Sequence, residues 1–69
     1  MKVLIQHCNS NEYLAGNNVW VREVERAMVF SSSVEAMEYL HECDVHPAKV
    51  VLKFSDARYD VALAKTADC

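Results

Sequence analysis

The chain has 69 residues, enough for one domain, and 52% of them are hydrophobic, which excludes a disordered segment. Its formal net charge of −3 disfavours a nucleic-acid-binding protein, which normally presents a basic surface. No stretch reaches the roughly 20 apolar residues that span a bilayer, and the start turns polar too early for a signal peptide. We therefore expect a cytoplasmic protein without a membrane segment.

The cysteines are odd in number and lack the spacing of a disulfide framework. Cys8, Cys43 and Cys69 are therefore predicted to be free thiols in a reducing compartment. Cys69 ends a polar stretch, so we expect residues 65–69 to form a flexible C-terminal tail after a single α+β domain at residues 1–64.

The first half of the chain predicts strands joined by short turns. Residues 2–7 are rich in aliphatic and β-branched side chains, as in a strand, and residues 12–15 form a second, shorter candidate. Gly16-Asn17-Asn18 tolerates positive φ and predicts a hairpin into a strand at residues 19–21. We expect one helical turn at residues 23–26, then a strand at residues 27–30.

The clearest local signal is the start of a helix. Ser32 and Glu35 have capping-box spacing, in which each residue satisfies a backbone N–H of the other. We expect the helix to end near Asp44, because Pro47 cannot continue it. A predicted apolar face follows at spacings of three and four, formed by Ala36, Met37, Leu40 and Cys43.

Two strands are predicted after Pro47, at residues 48–54 and 58–63. In the first, Val50, Leu52 and Phe54 alternate with Lys49, Val51 and Lys53. The chain thus predicts an α+β fold, with a mostly antiparallel sheet of four to five strands and one helix packed on one face. The predicted element order is β-β-β-β-α-β-β or close to it, and the spatial order of the strands stays open.

One set of residues resembles a pattern that recurs in small uncharacterised bacterial proteins. There, a hairpin carrying a tryptophan leads through a short turn to an alanine–phenylalanine strand and then a helix. The resemblance implies an α+β fold and supplies no catalytic or binding position. It rests on Tyr13-Leu14, Gly16, Trp20, Ala27-Met28-Val29-Phe30 and Ser33-Val34-Glu35-Ala36.

Catalytic and metal-binding patterns are weak. His41, Cys43 and His46 lie close in sequence, but residues two apart on a helix diverge, and zinc needs about four ligands. His7 and Cys8 are adjacent on a strand and would point to opposite faces. The chain's one glycine excludes a phosphate-binding loop. We expect no catalytic residue, cofactor or metal site, and no enzyme.

A single helix covers only one face of a sheet, and the opposite face is not purely polar. This mixture predicts an interaction surface, although scattered exposed apolar residues are also normal. The expected function is a protein-interaction module with an unknown protein partner or a weak homodimer. The alternative is a nucleic-acid-associated regulator that uses the lysines, with Trp20 and Tyr13 for stacking. The predicted surface consists of Leu4, Val19, Val21, Lys49, Val51 and Lys53.

Overall fold

The structure, a computed structural model, describes residues 2–16, 19–45, 47–54, 61–66 and 69. It has an α+β fold with one antiparallel five-stranded sheet and one α-helix, as predicted. The spatial order of the strands is β3-β2-β1-β4-β5. The strands are β1 (Lys2–His7), β2 (Tyr13–Gly16), β3 (Val19–Val21), β4 (Ala48–Lys53) and β5 (Val61–Lys65), and the helix is α1 (Ser33–Glu42).

β1 is the central strand of the sheet. It pairs with β4 over its whole length, from Lys2 opposite Lys53 to His7 opposite Ala48. On its other side it pairs with β2 at Gln6 and Tyr13. The turn between β1 and β2 is closed by a hydrogen bond of 3.0 Å from the N–H of Asn11 to the carbonyl of His7, with Asn11 at a φ of 61°. Asparagine tolerates this left-handed conformation better than most residues.

The hairpin between β2 and β3 is where the sequence places it. Gly16 has a φ of 106°, a conformation that side chains with a Cβ rarely adopt. The other two residues of the predicted turn, Asn17 and Asn18, lie outside the described residues. The predicted helical turn after β3 is a short 3₁₀ helix at Val24–Arg26.

The strand predicted at residues 27–30 is not a strand, which is a correction to the predicted order. Phe30 forms only an isolated bridge with Val3, and the N–H of Met28 donates to the carbonyl of Leu14. β2 pairs with β1 at Gln6 and Tyr13, and Phe30 bonds the same edge of β1 at Val3. Residues 27–30 thus bond once to β2 and once to β1, and form a ladder with neither strand.

α1 begins at the predicted cap. The Ser32 hydroxyl accepts a hydrogen bond of 3.1 Å from the N–H of Glu35. The reciprocal half of the capping box is different, because the Glu35 carboxylate accepts from the Ser31 hydroxyl. The predicted apolar face is also corrected at its end: Cys43 is exposed, and Val45 is buried instead. Asp44 has a φ of 52°, which turns the chain back toward the sheet.

The hydrophobic core lies between α1 and one face of the sheet, and α1 packs against β1 and β4. Phe30 meets Tyr39 of α1 edge-on, with ring centroids 5.4 Å apart. Val50 and Leu52 lie in this layer as expected, whereas Phe54 lies beyond β4 and is exposed. The buried members of the core are Val3, Ile5, Leu14, Phe30, Ala36, Leu40, Val45, Ala48 and Val50.

The last strand extends two residues beyond its predicted end at residue 63. β5 spans Val61–Lys65, while residues 58–60 of the predicted strand lie outside the described residues. Thr66 continues the contact with β4, because its N–H donates to the carbonyl of Ala48 and its Oγ1 accepts from the N–H of Ala48. Contacts with the sheet therefore continue past the predicted domain boundary at residue 64. The flexibility of the tail stays a prediction, and residues 67 and 68 lie outside the described residues.

A disulfide joins Cys8 and Cys69, so the prediction of three free thiols is wrong. Their Cα atoms are 5.6 Å apart, within the range that a disulfide needs. Cys8 follows β1, and its N–H donates to the carbonyl of Pro47 just before β4. Antiparallel pairing brings the end of β1, the start of β4 and the end of β5 to the same end of the sheet.

Because Cys8 and Cys69 are joined, the argument from free thiols to a reducing compartment no longer holds. Cytoplasmic localisation stays a prediction.

Candidate interaction surface

The strand register assigns the predicted surface residues to faces of the sheet. Paired residues on adjacent strands share a face, and successive residues along a strand alternate. Leu4 pairs with Val51, on the face opposite to Val50 and α1. Val21 pairs with Tyr13, on that same opposite face. The register places all six predicted residues on the face that α1 does not cover: Leu4, Val19, Val21, Lys49, Val51 and Lys53.

The centre of this face is less accessible than the sequence suggests. Leu4 is 0% exposed, Val51 5% and Tyr13 8%. Val21 is half-buried, so Val19 is the most exposed aliphatic member of the predicted set. The expected apolar patch is therefore corrected: its central residues share the face but offer a partner little surface.

The charged residues of the strands on this face are all lysines. The five strands contain all four lysines of the chain and no aspartate or glutamate. Lys2 pairs with Lys53, and Lys49 pairs with Lys65. Each pair places two like charges on adjacent strands, which destabilises a sheet. We call this surface the lysine face and define it by Lys2, Lys49, Lys53 and Lys65.

The geometry of the lysine face follows from the sheet spacings. Partners within a pair are about 5 Å apart at Cβ. The two pairs are four residues apart along β4, which corresponds to about 13 Å. Lys2 and Lys65 are exposed, while Lys49 and Lys53 are half-buried. The predicted surface leaves out Lys2 and Lys65, because only the pairing of β1 and β5 with β4 brings them to this face.

The aromatic residues proposed for stacking have intramolecular contacts. The Trp20 ring is half-buried and meets His7 edge-on, with centroids 5.0 Å apart. Lys53 Nζ lies 5.4 Å from the centroid of the buried Tyr13 ring, a cation–π contact. The buried Tyr13 ring therefore lacks the open stacking surface that single-stranded nucleic acid uses, whereas the Trp20 ring is partly exposed.

A small cavity lies beside the C-terminal end of α1. Its volume is about 200 Å³, below the roughly 300–1,000 Å³ of typical ligand pockets. It is lined by residues at and just after the end of α1, among them His41 and Asp44, and by Lys65 and Thr66 at the end of β5. The arrangement shows neither a nucleophile with a base nor a set of metal ligands.

The candidate metal and thiol residues are not brought together. Among the described residues, no three or more histidine, cysteine, aspartate and glutamate side chains cluster as a metal site would require. His41 and Cys43 are both exposed, and His46 lies outside the described residues. Cys8 is joined to Cys69 and has no free thiol. The absence of a metal or cofactor stays a prediction.

Comparison with known proteins finds no match among protein-family models, curated proteins or solved structures. In the part of the chain that the structure describes, no helix is long and apolar enough to cross a membrane. The candidate site therefore stands on its geometry and charge alone.

Proposed function

We propose that this chain is a non-enzymatic protein-interaction module that binds an acidic partner protein through the lysine face. The observation that carries this proposal is the placement of all four lysines on one face, with Lys49 directly opposite Lys65, in a chain of net charge −3. The Lys49–Lys65 pair weakens the free sheet, whereas carboxylates of a partner relieve its repulsion.

A homodimer formed by two lysine faces is less well supported. Direct contact would bring the lysines of both copies together, and the aliphatic residues between them are buried. Like charges that meet across an interface cost several kcal/mol. An acidic partner would bring no like charges to the lysine face and would not depend on contact with the buried aliphatic residues.

Nucleic acid is the second candidate, since phosphates also bind lysines. The burial of Tyr13 disfavours stacking of single-stranded bases on this face, and the acidic net charge of the chain disfavours nucleic acid in general. In the part of the chain that the structure describes, the lysine face also contains no arginine, the residue best suited to bidentate contacts with phosphates and guanine.

Affinity chromatography distinguishes these candidates. The purified chain should be retained on immobilised polyglutamate and elute at a higher salt concentration than from single- or double-stranded DNA. The double variant Lys49→Gln/Lys65→Gln should elute earlier from polyglutamate. The control Arg22→Gln/Arg26→Gln removes the same charge from two exposed residues outside the strands and should elute like the parent.

Three outcomes contradict the proposal. Loss of retention to the same extent in both double variants would indicate a response to net charge alone. Stronger, lysine-dependent retention on DNA would favour the nucleic-acid alternative. A parent chain that is not retained on any of the three matrices would remove both candidates.

A further inference from the structure

The two edges of the sheet differ in how open they are. β3 is one edge, with three residues, one of which is the half-buried Trp20. β5 is the other edge, with five residues, and no strand among the described residues lies beyond it. An edge strand presents unpaired N–H and C=O groups to any extended chain that approaches.

β5 has few of the features that usually protect an edge. It contains no proline and no acidic residue, and its one lysine is at its end. Val61 is 44% exposed and Leu63 is 47% exposed. A register shift leaves Leu63 without a partner in β4, so the ladder available to an added strand is short. We therefore expect pairing at this edge to be weak and reversible.

The lysines on and next to β5 favour an added strand that contains acidic residues. Lys65 lies on the lysine face, next to Lys49 on β4. A carboxylate on the same face of an added strand would lie beside Lys65, with Lys49 one strand further. On the other face, Val61 pairs with Leu52 and leaves exposed apolar surface for an apolar side chain. Alternating acidic and apolar residues match both faces, because side chains along a strand alternate.

We propose that the open edge of β5 takes an extended polypeptide segment of alternating acidic and apolar residues as a sixth strand. This inference rests on the proposed function and specifies how the acidic partner binds. A second copy of the chain fits less well, because β5 has no carboxylate to place beside Lys65.

The test uses the full oxidised chain and fluorescently labelled peptides of one composition. One peptide alternates glutamate and valine, and the other has a glutamate block followed by a valine block. Fluorescence anisotropy should show about tenfold tighter binding of the alternating peptide, since only that peptide matches both faces of the added strand. Equal affinity for the two peptides would overturn edge pairing, although lysine-dependent binding of both would leave the proposed function standing.

Backbone methylation tests the hydrogen bonds of the sixth strand directly. Only alternate N–H groups of an added edge strand face its neighbour. Two isomers of the alternating peptide, N-methylated on alternate residues in opposite phase, should therefore differ, with one losing binding and the other retaining it. Loss or retention of binding by both isomers alike would overturn the proposal.

Two protein variants localise the site. Leu63→Thr should weaken binding of the alternating peptide, while Val29→Thr, at a similarly exposed residue outside the strands, should not. Equal effects would place the peptide elsewhere and overturn the inference. If the peptides do not bind but the chain forms a dimer in sedimentation that Leu63→Thr disrupts, the edge pairs with a second copy. If no acidic peptide binds and no dimer forms, the proposed function fails as well.

Discussion

The two faces of the sheet are both buried at their centres, yet they differ in charge. Ile5 faces α1 and Leu4 faces the opposite way, and both are fully buried. Around Ile5 the neighbours are apolar, whereas around Leu4 the face contains four lysines in like-charge pairs. Burial alone therefore does not tell a structural face from a candidate binding face. The charge pattern distinguishes them.

The largest expected effect concerns the Cys8–Cys69 disulfide, which joins the segments that follow β1 and β5 at one end of the sheet. Replacing Cys69 by alanine should lower the free energy of unfolding by about 4 kcal/mol, because the bridge constrains a long loop in the unfolded chain. The two cysteines are 61 residues apart. Denaturant titration with and without reductant measures this effect, with Cys43→Ala as the control. A parent chain with the same midpoint in reductant would show that the bridge does not contribute.

Truncation of neighbouring residues compares the two faces directly. Ile5→Ala should cost about 2–5 kcal/mol of stability, because it leaves a cavity under α1. Leu4→Ala should cost a similar amount, since Leu4 is also 0% exposed. Paired denaturant titrations provide the measurement. A cost below about 1 kcal/mol for Leu4→Ala would show that Leu4 is not tightly packed at the centre of the lysine face.

Removal of the N-cap of α1 should have a smaller effect on stability. Ser32→Ala should destabilise the fold by about 0.5–2 kcal/mol, because it removes the acceptor for the N–H of Glu35. The neighbouring Ser33→Ala is the control in the same thermal unfolding series, since Ser33 is already inside α1. Equal melting temperatures for Ser32→Ala and the parent would place the cap elsewhere.

The smallest effect, of opposite sign, is expected on the lysine face. Lys49→Gln should raise stability by at most about 0.5 kcal/mol at low salt, because it removes the repulsion from Lys65. High salt should reduce this gain by screening. Arg26→Gln should show no such salt-dependent gain in denaturant titration. A Lys49→Gln variant that is less stable than the parent would indicate that Lys49 has a structural role.

Much of the fold follows from local patterns in the chain. The cap at Ser32, the hairpin at Gly16 and the alternation in β4 each depend on residues close in sequence, and each is confirmed. The strand predicted at residues 27–30 fails for a non-local reason. Its side chains suit a strand, but its backbone bonds once to β2 and once to β1 and forms a ladder with neither.

Only part of the candidate site can be predicted from the sequence. Alternation in β4 puts Lys49, Val51 and Lys53 on one face, and any antiparallel sheet would keep them there. Long-range pairing decided the rest: the strand order, the arrival of Lys2 and Lys65 on that face, and the approach of Cys69 to Cys8. The sequence by itself therefore determines elements and faces, because their periods are local. Tertiary structure decides which elements become neighbours, because that choice depends on packing between distant segments.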